Sequence, residues 1–231
     1  MKYSNKPAVD KNHLDTRIRF KFRRMPAAAS IAHSMQIKEL RRRAAISGLP
    51  VCGSSMPKMS FGPAISEGCS SLCEYADAYF YEFIDEVCAF SKMSSLDDGS
   101  YSLISAKRIP LFFPSVESAL NAVKYSAVSE GNGFSSEKLS IFMSEKTRVF
   151  ERVKASGKSQ SFDVRALCRS AEIKDCGKKI EFVLSFSQGA NLRPEDALKS
   201  IFGDDINSSG QVKIERTELF WLDSKGNFEV F

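Results

Sequence analysis

Histidine and tryptophan are almost missing from this chain: two His and one Trp in 231 residues. So few histidines leave little material for a nucleophilic triad. No Cys-x-x-Cys pair occurs among the six cysteines, and with two histidines a tetrahedral zinc site cannot be assembled by spacing. Cys69 and Cys73 open like a radical-enzyme iron–sulfur motif, but the third cysteine it needs falls on Ala76. No resident metal or cofactor is therefore expected. A phosphate-binding loop is lacking too: SEGNGF (129–134) has neither the Lys-Ser/Thr ending nor a strand-to-helix setting. Apolar runs long enough to span a bilayer are absent, as is an apolar stretch after the first lysines. These absences predict a cytoplasmic chain without membrane association, and its cysteines are expected to be free thiols.

What is present is phenylalanine, at 18 residues, and an uneven distribution of charge. Residues 1–60 carry 13 Lys/Arg against 3 Asp/Glu, whereas residues 61–130 carry 4 against 10. Positive charge collected at one end suits a polyanion or an acidic partner. The segment TRIRFKFRR (16–24) alternates, with Ile18, Phe20 and Phe22 on one side and Arg17, Arg19, Lys21 and Arg23 on the other. That is the pattern of a half-buried strand with a basic outer face.

Ser30 is the expected N-cap of a helix that ends at Gly48. In it His33, Ile37, Leu40 and Ala44 form the apolar stripe, and Lys38, Arg41, Arg42 and Arg43 occupy other faces. Strands are expected over 56–62, 74–83 and 100–109, a loop over 66–73 and a short helix over 84–95. Pro110 and Pro114 mark a linker. Beyond it, strands are expected over 120–129, 147–154, 179–186 and 211–222. Helices are expected over 135–145 and 193–202, the latter with Pro194 in the first turn. Both halves read β-α-β-β-α-β. The expected fold is thus α+β, two tandem ferredoxin-like modules: a flexible lead-in 1–15, a first module 16–110, a linker 111–118 and a second module 119–231.

Candidate binding residues follow from charge and placement. Arg17, Arg19, Lys38, Arg41, Arg42, Arg43 and Lys58 form the basic first quarter. Asp163 and Arg165 fall on one side of SFDVRAL if it is extended. Arg193 is a cation at a helix start, where an anion is electrostatically preferred, and Arg216 lies in the last strand. His33 is read first as a packed residue and second as a binding or catalytic one. His13 has no assigned role.

Taken together, RIRFKFRR, IAHSMQIKELRRRAAISGLP, PKMSFGPAISEG and CEYADAYF resemble the bacterial radical SAM-linked protein family, a domain of unknown function encoded beside or fused to a radical SAM protein. The match runs through Arg17 to Phe20, His33, Arg41 to Arg43, Gly48-Leu49-Pro50, Pro57 to Phe61, Gly68 and Glu74-Tyr75. More weakly it includes Asp163-Val164-Arg165, Leu192 to Glu195 and Arg216-Thr217. The chain departs from it at Ser34-Met35, where the family has Leu-Asp, and lacks the family's Gly-Phe-Asn-Pro-His before Pro57. The resemblance implies a non-catalytic accessory protein that binds RNA (tRNA or rRNA), a radical SAM protein, or both. A reading from another class is similarity to RAMP-type endoribonucleases, with His33 as the general base. A protein-binding scaffold is the third.

Overall fold

Alternation in the first strand decides the architecture of the N-terminal half. In the computed structural model, which describes residues 14–53, 56–153, 157, 159–187, 191–203, 206, 212–223 and 228–230, Thr16–Arg24 forms β1. Its Ile18, Phe20 and Phe22 are buried in one apolar cluster. His33–Ile46 forms α1, Met59–Phe61 β2, Ser70–Phe80 β3, Glu86–Ser94 α2, Tyr101–Arg108 β4 and Val116–Ala119 the single-turn α3. The expected lead-in 1–15, with His13, lies outside the described residues except for Leu14 and Asp15.

Two compact units emerge: residues 1–64 with 74–119, and residues 65–73 with 120–231. The first orders its strands β4-β1-β3-β2, with β1 and β4 antiparallel and β2 antiparallel to β3. Leu40 and Ala44 of α1 and Ala89 and Met93 of α2 join Ile18, Phe20, Phe22, Ala76, Ala78 and Phe80 in its core. Helix α1 terminates as expected, with Ser47 at the C-cap and Gly48 in the left-handed region at φ 70°. Its start differs. Ala32, not Ser30, is the N-cap, because Arg24 Nη2 donates to the carbonyls of Ala29 and Ile31 and holds them out of the helix. Helix α2 is capped by Asp85, which accepts from the amides of Val87 and Cys88.

The second unit contains Ala122–Ser129 (β5), Ser136–Ser144 (α4), Val149–Val153 (β6), Ser159–Asp163 (β7), Val164–Leu167 (α5), Cys168–Lys174 (β8), Lys179–Ser185 (β9), Pro194–Phe202 (α6), Val212–Leu222 (β10) and Phe228–Val230 (β11). Its strands run β10-β5-β9-β8, antiparallel throughout, while Ser70 and Ser71 of β3 pair in parallel with Glu215 and Arg216 of β10. The β6–β7 hairpin stands apart as a two-stranded sheet. The architecture is therefore mixed α+β, with six α-helices among the described residues. Three expectations change, the first being that β8 lies where no strand was expected and takes the place beside β9, while 147–154 pairs only within the hairpin. Residues 70–73 are strand rather than loop, and SFDVRAL is not extended throughout: it splits into the end of β7 and the turn α5, with Asp163 capping that turn. None of the described helices is long and apolar enough to cross a membrane.

Candidate nucleic-acid interface

Period-2 alternation places Arg17, Arg19, Lys21 and Arg23 on the face of β1 opposite the core, beside Tyr75, Asp77 and Tyr79 of β3. The structure treats these cations unequally. Arg19 grips Asp77 through Nε at 2.7 Å and Nη2 at 2.9 Å, and Asp77 is wholly buried. Arg17 stands 3.9 Å from the same carboxylate and sends Nη1 to the Phe113 carbonyl and Nη2 to that of Pro110, both at 2.9 Å. Arg19 Nη2 reaches the Pro114 carbonyl at 3.4 Å, and the amide of Val116 donates to Asp77 Oδ2. The segment expected as a linker is instead a strap over the outer face of the first unit, and α3 rests against β2. Arg17 and Arg19, expected to be solvated, are 2% and 8% exposed. A buried guanidinium must spend its donors on the protein, so neither of them is open to phosphate.

The arginine run of α1 divides in the same way. Arg43 is buried, bonded to Glu39 and the Leu96 carbonyl and ion-paired with Asp98. Arg42 is exposed but holds both oxygens of Glu39 at 2.7 Å. Hydrogen bonding from Arg42 is the leading reason the Glu39 carboxyl sits below its usual range. Arg41 lies over the Phe61 ring, 5.5 Å from its centroid, with Nη1 against Met56 Sδ. Lys38 is exposed, as is Lys58, whose ammonium is 5.1 Å from the Tyr79 ring centroid. Lys38, Arg41 and Lys58 have no carboxylate partner among the described residues. His33 is the first residue of α1 and half-buried.

In the second unit the candidates do not converge. Asp163 accepts from the backbone amides of Arg148, Arg165 and Ala166 rather than from the Arg165 guanidinium. Arg165 donates to the carbonyls of Met143 and Cys168. Arg193 is the exposed N-cap of α6. Arg216 is buried on β10, 5.9 Å from the Tyr125 ring centroid. Burial raises the Tyr125 hydroxyl. It also raises the Glu195 carboxyl, which Cys69 Sγ approaches at 3.6 Å. Position-by-position reading of β3 and α6 did not bring Cys69, Tyr125, Glu195 and Arg216 together, because the pairing of β10 with β5 and β3 is nonlocal. No group of three or more His, Cys, Asp and Glu side chains placed to hold a metal ion occurs among the described residues. All six cysteines are free thiols.

A conserved bacterial family described as uncharacterized (DUF2344) matches residues 17–194. No curated protein matches the sequence.

Proposed function

The chain belongs to that uncharacterized bacterial family, and from this premise we propose that it is a non-catalytic, cytoplasmic binding module for single-stranded RNA. The observation that carries the reading is the division of cations in the first unit. Where a buried arginine has an inward partner, a structural role accounts for it. Lys38, Arg41 and Lys58 have no such partner: Lys38 and Arg41 lie on α1, and Lys58, just before β2, faces the Tyr79 ring. Lys38 and Arg41 are one helical turn apart on neighbouring positions, Arg41 touches Met56 and Phe61, and Lys58 lies between those two in the chain. Several cations without carboxylate partners in one unit suit a chain of phosphates better than a single small anion. Service to a separate radical SAM enzyme belongs to the same proposal and rests on the sequence resemblance alone. Tandem ferredoxin-like modules are proposed as the scaffold, supported by the orders β4-β1-β3-β2 and β10-β5-β9-β8.

Salt titration of RNA binding tests this. Each phosphate contact on a single strand contributes a slope of about 0.7 in log affinity against log salt. Lys38→Glu with Lys58→Glu should weaken binding and flatten the slope by roughly that amount per lost contact. Lys146→Glu with Lys213→Glu, on exposed positions of the second unit, makes the same change in net charge and should do much less. Equal losses in the two variants would mean that net charge, not this surface, governs binding.

A further inference from the structure

We infer that the Pro110–Pro114 turn is a base-stacking site for an unpaired nucleotide strand, with Phe112 and Phe113 as the platform and Lys58 and Lys107 as its phosphate contacts. The inference rests on the binding role proposed above and names what that surface selects.

Phe112 is 87% exposed and Phe113 52%. Their ring centroids are 5.1 Å apart with planes inclined by 38°. Two adjacent phenylalanines in water are unfavourable unless something covers them. A slack loop could fold such rings inward, but this one is held. The Phe113 amide bonds the Pro110 carbonyl, Arg17 takes the carbonyls of Pro110 and Phe113, and Arg19 takes that of Pro114. Proline at both ends restricts the backbone further. Ordering the platform has thus been done by folding, which lowers the entropy lost on binding.

Two exposed lysines share the sheet face that the turn crosses. Lys107 is exposed and pairs with Arg19 in the β1–β4 register, so its side chain is on the sheet face that the turn crosses. Tyr79 sits between the Lys58 ammonium, at 5.1 Å, and the Arg17 guanidinium, at 6.0 Å, and that guanidinium holds the Phe113 carbonyl. Exposed aromatic rings and lysines on one sheet face match what single strands require: rings for bases, ammonium groups for the backbone. Phenylalanine has no polar tip, so the platform stacks any base and does not read sequence. Exposed carboxylates of the same unit oppose phosphate, namely Asp15, Glu82, Asp85, Glu86, Asp97, Asp98 and Glu117; Glu117 on α3 is the nearest of them in the chain to the rings, Asp98 pairs with Arg43, and Glu86 Oε1 accepts from the Arg108 amide. Lysines on the same sheet face as the rings favour nucleic acid over an apolar protein groove as the occupant.

The test uses the full chain with three probes: a labelled single-stranded oligouridine, a fully paired RNA hairpin, and inorganic polyphosphate, which has the charge but no bases. The single strand should bind more tightly than the hairpin. Phe112→Ala should lose roughly 5- to 100-fold on the single strand, the size of one lost stack, with an unchanged salt slope and unchanged polyphosphate binding. Phe112→Trp should retain binding. Lys58→Glu should weaken single strand and polyphosphate alike. Because Phe112 is almost fully exposed, its removal leaves the fold intact, which circular dichroism checks. If wild type binds RNA and polyphosphate equally and Phe112→Ala changes neither, the stacking site is refuted while the binding role survives. If wild type binds none of the probes at low salt, both are refuted.

Discussion

Replacing Asp77 by Asn asks whether the buried charge cluster is structural. Asp77 faces two buried guanidiniums, at 2.7 and 2.9 Å from Arg19 and 3.9 Å from Arg17, and it also accepts from Val116 N. Asparagine preserves shape and one acceptor but removes the negative charge that faces both guanidiniums in a dry site. Breaking such a pair costs about 3–5 kcal/mol, a large part of the roughly 5–15 kcal/mol that holds a typical domain together. Arg42→Gln is the comparison. Its bonds to Glu39 are just as short, but the arginine side chain is 58% exposed, so solvent screens the pair and little loss is expected. Urea denaturation should show a much lower midpoint for Asp77→Asn at an unchanged slope, and little movement for Arg42→Gln. Adding Arg19→Met to Asp77→Asn should recover part of the loss, because one stranded charge leaves with it. Similar small shifts in both single variants would refute the argument that burial, not bond length, sets the energy of these pairs.

Two further outcomes follow from burial and charge. Thiol alkylation of the native protein at pH 8 should modify Cys88 and Cys176, which are exposed, and spare Cys52, Cys69, Cys73 and Cys168 until denaturant is added; burial pushes the Cys168 thiol up to about 11, so its thiolate is scarce at that pH. Hydrogen bonds from Lys174, Lys179 and Lys124 hold the Glu181 carboxyl down at about 2. A carboxyl depressed on folding stabilises the protein above its unfolded value of about 4.3 and loses that contribution as pH falls through 2. The stability gap between wild type and Glu181→Gln should therefore be full at pH 7 and close between those values, and salt should shrink it.

The apolar face of β1 was legible because Ile18, Phe20 and Phe22 repeat at the period of a strand. Its basic face was legible as a pattern but misread in consequence. Nothing in RIRFKFRR tells that Asp77, 58 residues past Arg19, or the carbonyls of Pro110 to Pro114 will take the guanidinium donors. The two prolines were visible as a break, and the strap they bracket was not, since its partners are backbone atoms with no signature in the sequence. CRSAEIK went unrecognised as β8 because an edge strand is polar on most positions; only Cys168 is fully buried in it. Residues 70–73 lack β-branched side chains and are strand through their pairing with β10. Of the binding candidates, Lys38, Arg42, Lys58 and Arg193 are exposed, and Arg41 is half-buried against Phe61. Phe112 and Phe113 were passed over inside an expected linker, although three consecutive large apolar residues, Leu111 to Phe113, between prolines were there to be noticed.

Photo-crosslinking of the full chain to a uridine-containing single strand, followed by mass spectrometric mapping of the modified residues, tests the central claim most directly. The account predicts adducts in the first unit, at Phe112, Phe113 or Tyr79 and along Lys58, which disappear when unlabelled single strand competes. Adducts confined to the second unit, or spread evenly over both and indifferent to competitor, would contradict it.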